Sequence, residues 1–151
     1  MNIKGIRILD KKNRIVSVEL PDILSEIQNG NLLHWCILFL NGTGDLGPGK
    51  TIPEFMHHIN DSERGLLINW EDLNSLFNKF YEVIDLLLIG CKKERLLVRY
   101  ENDQKMYETC DITIEMVDSS YWEVFSKDGD LLVRLARKFQ QVKFLTTDFE
   151  K

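Results

Sequence analysis

Between Tyr107 and Val117 the side chains alternate in character. Cys110, Ile112, Ile114 and Met116 fall on one side, and Thr109, Asp111, Thr113 and Glu115 on the other. Successive residues of a strand point to opposite faces. The pattern therefore predicts a strand with one dry face and one wet face. Such a strand belongs in an antiparallel sheet, because parallel strands are covered on both sides and read as continuous apolar runs. This one segment draws the chain toward a sheet half-covered by helices.

The remaining elements are read around it. Ile6 and Ile8 mark a first strand, and Val16, Val18 and Leu20 a second. Asp10-Lys11-Lys12-Asn13 makes the polar turn of a hairpin between them. Pro21 opens a short amphipathic helix carrying Ile23, Leu24 and Ile27, which ends near Asn29-Gly30. Leu33 to Leu40 is almost continuously apolar and predicts an interior strand. A Gly-rich loop follows, then a short helix over Pro53–Ile59 and a short extended piece over Arg64–Ile68. Asn69 caps a helix with Trp70, Leu73, Phe77, Phe80 and Tyr81 at helical spacing. Ile84–Ile89 reads as its extension or as a strand ending at Gly90. Arg95–Tyr100 alternates and runs into the polar turn Glu101-Asn102-Asp103-Gln104. Asp118-Ser119-Ser120 is expected to cap a helix through Tyr121, Trp122 and Phe125. After Asp128-Gly129-Asp130 a last helix carries Leu132, Leu135, Ala136 and Phe139, and Val142–Leu145 adds an edge strand. The fold class expected is α+β, with a mainly antiparallel sheet, helices packed on one face, and a single domain over residues 1–151.

Length and charge narrow the function classes. A chain of 151 residues can bury a proper core. Its apolar share of 44% is too high for a disordered segment. Nineteen Lys and Arg against 24 Asp and Glu give a net charge of −5. That balance disfavours a nucleic-acid partner, which needs basic surface, and favours a basic protein partner. Cys36, Cys91 and Cys110 are widely spaced and lie in or beside apolar stretches, as reduced buried thiols do. The N-terminus lacks the apolar region of a secretion signal. The longest apolar runs, such as Leu86–Ile89, are too short to cross a membrane. The expected location is the cytoplasm.

One named motif is present. Gly44-Asp45-Leu46-Gly47-Pro48-Gly49-Lys50-Thr51 fits the phosphate-loop pattern, in which backbone amides cradle phosphates, Lys reaches the outer phosphates and Thr holds Mg²⁺. Three features oppose it. Pro53 pushes Ile52 from helical angles and interrupts the passage from loop to helix. Asn41-Gly42-Thr43 separates the apolar run from the loop. The Asp residues that would hold the metal, Asp85 and Asp118, follow no long buried-parallel run. A nucleotide-binding protein using Gly44–Thr51, with Lys50 and Thr51 at the phosphates, is the alternative reading. The principal reading, a protein-binding module, has no cofactor, metal or catalytic residue. His57-His58 point about 100° apart on a helix and do not converge on a metal. His34 beside Trp35 reads as a half-buried packing residue. Asp111 and Glu115 share the wet face of one strand, with Glu108 and Asp118 near its ends. They are the candidate partner-binding residues, since like charges on one face sit in solvent, at a metal or opposite a basic partner.

A further pattern runs through Ile52-Pro53-Glu54-Phe55, Ile59-Asn60-Asp61-Ser62, Gly65, Ile68-Asn69-Trp70-Glu71-Asp72-Leu73 and Val83-Ile84-Asp85 to Ile89-Gly90. Ile114-Glu115-Met116-Val117-Asp118-Ser119-Ser120-Tyr121-Trp122 extends it. In layout these segments, about half the chain, resemble small bacterial immunity proteins of contact-dependent growth inhibition and other polymorphic toxin systems. The resemblance implies a non-enzymatic cytoplasmic inhibitor that binds one cognate toxin domain. An acidic inhibitor would suit a basic toxin such as a nuclease. Because that class contains many unrelated folds, it transfers no individual residue role.

Overall fold

In the computed structural model, residues 2–148 are described. Strands β1 (Asn2–Ile8), β2 (Lys11–Lys12) and β3 (Ile15–Val16) precede α1 (Leu20–Leu24). Then come β4 (His34–Gly44), α2 (Ile52–Asn60), β5 (Leu66–Ile68), α3 (Trp70–Phe77) and β6 (Phe80–Cys91). The second half holds α4 (Asp103–Thr109), β7 (Ile112–Val117), β8 (Tyr121–Ser126), α5 (Gly129–Lys138) and β9 (Val142–Asp148). Seven strands form one sheet in the order β5-β4-β6-β7-β8-β1-β9. Every pairing among the described residues is antiparallel. The α+β class with an antiparallel sheet is therefore the architecture observed.

The main core lies between one sheet face and the helices. Ile6 and Ile8 of β1, Ile37 and Leu40 of β4, Leu86 and Leu88 of β6, and Ile112, Ile114 and Met116 of β7 meet Ile23 and Leu24 of α1, Leu73 of α3 and Leu135 of α5. As expected, β4 is an interior strand, buried along most of its length. Trp35 is almost fully buried there, donates Nε1–H to Gly30 O at 2.8 Å and stacks on Trp70. A second, smaller core covers one end of the other face. Cys36, Leu38, Ile89 and Cys91 of the sheet pack there under Leu97, Met106 and Cys110.

The structure departs from the sequence reading at several places. The first strand does not pair with the Val16 segment. Asn13 and Arg14 adopt left-handed φ values of 55° and 69° and close a hairpin of only two residues per strand. β1 instead pairs with β8 and β9. The segment Tyr107–Val117 is not one strand, because Asn102 accepts from Lys105 N at 2.9 Å and caps a helix. The strand starts only at Ile112, and Cys110 faces the second core. Tyr121–Phe125 is a strand rather than a helix. Asp118 and Ser119, at φ 47° and 55°, turn the chain within the three residues between paired Val117 and Tyr121, so β8 folds back on β7. Phe80 and Tyr81 open β6 rather than close α3. Arg95–Tyr100 forms no strand; a short 3₁₀ turn spans Glu94–Leu96.

Candidate functional site

The open part of the second sheet face carries a row of facing side chains. Phe39 is paired with Leu87, Leu87 with Glu115, Glu115 with Glu123, Glu123 with Arg7, and Arg7 with Lys143. Beside it, Asn41 is paired with Asp85 and Val117 with Tyr121. Phe39 is exposed to 43% although it is a large apolar residue in mid-sheet. Two glutamates directly opposite on neighbouring strands repel. The tension is relieved unequally. Arg7 bonds Glu123 Oε2 through Nε at 2.8 Å and Nη2 at 2.6 Å, and its guanidinium lies 4.4 Å from the Tyr121 ring centroid. Asp85 accepts from Asp118 N at 2.9 Å through Oδ1.

Glu115 takes part in none of these bonds, and its carboxyl is pushed up to about 7. Burial is the main cause, followed by the negative charges of Asp103, Glu123 and Asp85. Tyr107 of α4 stacks on Phe125 at 3.9 Å between ring centroids. Its phenol is raised by burial first and then by Glu115 and Asp103. The face is thus an acidic, aromatic-flanked surface with one carboxylate, that of Glu115, that has no direct partner among the described residues.

The raised Glu115 group sets a pH dependence. The folded protein holds this proton up to about pH 7, while the unfolded chain releases it near 4.5. The native state binds more protons across that interval, so stability falls as pH rises from about 4.5 to 7 and levels off above. Glu115→Gln is expected to remove this fall. Discounted for solvent screening, the variant gains about 1–2 kcal/mol at pH 8 and nothing near pH 4. Urea unfolding at the two pH values measures it, and an equal gain at both would overturn the assignment.

Asp111 does not join Glu115. It stands just before β7, where Oδ2 accepts the Lys92 amide at 2.8 Å and its backbone bonds Gly90 O and Lys127 N. Thr113, expected on the wet face, is 1% exposed because that end of the face lies under the second core, and its Oγ1 has no hydrogen-bond partner. His34 is exposed rather than half-buried. His57 and His58 lie in the last turn of α2, and His57 pairs with Asp61 at 2.7 Å. Among the described residues no group of three or more His, Cys, Asp or Glu is placed to hold a metal. The sequence reading did not place Arg7, Asp85 or Glu123 on this face; it weighed Asp85 only as a metal ligand for the phosphate loop. Arg7 lay in a strand given the wrong neighbour and Glu123 in a segment read as helix. The alternation Tyr121-Trp122-Glu123-Val124 was the signal available for β8.

The Gly44–Thr51 segment leaves β4 and enters α2, the order a phosphate loop needs. The sheet does not match, since both neighbours of β4 run antiparallel to it. Thr51 Oγ1 accepts from Glu54 N at 3.3 Å as the helix cap, and Gly47 N donates to Asp45 Oδ1 at 2.9 Å. Two groups a nucleotide would use are therefore engaged within the loop. Gly47 and Gly49 supply positive φ values of 99° and 76° for a surface turn. Titration with fluorescent ATP and GTP analogues plus Mg²⁺ is expected to show no saturable binding. Micromolar binding abolished by Lys50→Ala would restore the nucleotide reading. Elsewhere, a cavity of about 290 Å³ opens on the main-core side between Val16, Phe77, Phe80, Tyr81 and Val83. No helix among the described residues is long and apolar enough to cross a membrane.

Comparison with protein-family models, with curated proteins and with solved structures returns no match for this chain.

Proposed function

We propose that this protein is a protein-binding inhibitor of the immunity type, acting in the cytoplasm on a basic toxin domain, and that it docks through the sheet face centred on Glu115. One observation supports this reading above the others. Glu115 is held half-buried beside Glu123, Asp85 and Asp103, while the Arg7 guanidinium is engaged by Glu123. A fold left to optimise its own stability would neutralise such a group. A cationic side chain arriving from a partner supplies the missing charge at a place already partly desolvated, where a charge-assisted hydrogen bond is strongest. Exposed Phe39 and the Tyr121 ring provide apolar contact around it. Complementary charge also speeds encounter and excludes wrong partners.

The test is calorimetric binding to basic toxin-like domains encoded by genes flanking this one, at low and high salt. Reversing charge at both Glu115 and Asp111 to Lys is expected to weaken binding at least tenfold and to flatten its salt dependence. Glu115→Lys alone carries most of the effect, because the Asp111 carboxylate is already bonded to Lys92 N. Unchanged affinity in the double variant would remove this face from the interface.

A further inference from the structure

The second core holds all three cysteines, and two of them occupy matched positions. Cys91 is the last residue of β6, and Cys110 is the C-cap of α4, two residues before β7. Everything between them, residues 92–109, is an excursion that leaves the sheet at one thiol and returns at the other. Its two feet are already joined, since Asp111 N donates to Gly90 O at 3.0 Å and Lys92 N to Asp111 Oδ2 at 2.8 Å. Both thiols are buried in this one cluster, above the feet held by those two bonds, and Cys91 Sγ points toward Leu96 O at 3.9 Å. Cys36 is placed differently. Its Sγ donates across to Arg64 O at 3.1 Å, which directs it away from the pair.

We propose that Cys91 and Cys110 are a redox-sensitive dithiol that a small-molecule disulfide converts to an intramolecular bridge, stapling the base of the 92–109 excursion. The exchange runs in two balanced steps. The Cys110 thiolate attacks one sulfur of the reagent, RS–SR, forming a mixed disulfide and releasing RS⁻, which takes the proton that Cys110 lost. Cys91, deprotonated in turn, attacks the Cys110 sulfur and displaces the second RS⁻, which leaves as RSH. Two protein thiols are oxidised and one reagent disulfide is reduced to two thiols. The order follows from the surroundings. Hydrogen bonding with Cys91 holds the Cys110 thiol below its ordinary value, whereas burial pushes Cys36 up to about 11. All three thiols are buried, so the reagent enters when the excursion opens locally, an event that costs less than global unfolding. The chemistry does not depend on the toxin-binding reading, although the stapled segment carries Asp103 and Tyr107, which flank Glu115.

The test is incubation of the folded protein with oxidised glutathione, followed by thiol titration, intact mass and peptide mapping without reductant. Free thiols are expected to fall from three to one, with the mass lowered by two hydrogens and a single cross-linked peptide joining Cys91 to Cys110. Cys36→Ser should form the same bridge, and Cys110→Ser should form none. A persistent count of three thiols, a glutathione adduct that accumulates on Cys110, or a bridge that includes Cys36 would each overturn the proposal. If Cys110→Ser does not fold, the wild-type peptide map and Cys36→Ser decide the matter.

Discussion

Trp122→Ala is expected to destabilise the protein by about 3–5 kcal/mol, the range for losing a large buried aromatic. Trp122 is 1% exposed on β8, packed in the main core beside β1 and β7. Its Nε1–H donates to Val18 O at 2.7 Å, across 104 positions of sequence. That bond ties the stretch between β3 and α1 to the middle of the sheet. Truncation opens a cavity and leaves a buried carbonyl unpaired, two costs that add. Trp122→Phe separates them. It keeps most of the ring volume and loses the donor, so it should cost about 1–3 kcal/mol, the penalty for an unsatisfied buried acceptor. Urea unfolding of both variants measures the split. A Phe variant as damaged as the Ala variant would mean that the hydrogen bond matters more than the volume.

The same residue shows what the sequence could and could not disclose. Its place on an amphipathic segment already favours the core for so large an aromatic. That it sits on a strand was obscured by Asp118-Ser119-Ser120, which looks like a helix cap. The two left-handed residues that make it a hairpin turn leave no mark except their tolerance for that conformation. Alternation of Ile6 and Ile8 gave β1 its period but not its partners. β1 reaches strands more than a hundred residues away because β9 returns to the sheet beside it. Long-range pairing of this kind has no local signature. β4 was legible through Leu40, because burial on both faces leaves a run with few polar residues, but its polar end, residues 41–44, which stays paired with β6, reads as lying outside the strand. For the candidate site, Glu115 was readable from β7 alone. Arg7, Asp85 and Glu123 come from three other strands, so the row is a product of register. Asp111 was assigned to the same face by extending the strand through a helix cap that Asn102 had already set.

Arg99→Ala is expected to cost about 2–3 kcal/mol, from hydrogen bonds to a charged donor that together exceed any one neutral bond. The guanidinium gathers carbonyls from two elements that would otherwise meet loosely. Nη1 donates to Leu38 O at 2.6 Å, where β4 shifts register against β6. Nη2 donates to Ile59 O at 3.1 Å and Ser62 O at 3.0 Å, and Nε donates to Ser62 O at 3.1 Å. Ile59 belongs to the last turn of α2, whose final carbonyls have no partner inside the helix and carry the negative end of its dipole. Arg99 thus caps α2 and pins it to the edge of β4. There Asn60 continues the ladder by accepting from Leu40 N and donating to Leu40 O, both at 2.9 Å. Arg99→Lys keeps the charge but not the planar fork, so it should restore less than half of the loss. Amide exchange at Leu40 should rise in step, because that proton is held only while Asn60 stays in register. A loss below about 0.5 kcal/mol in the Ala variant, the level of an ordinary surface substitution, would show that water replaces the guanidinium at these carbonyls. Full rescue by lysine would show instead that the dipole of α2, rather than the forked geometry, is what Arg99 answers.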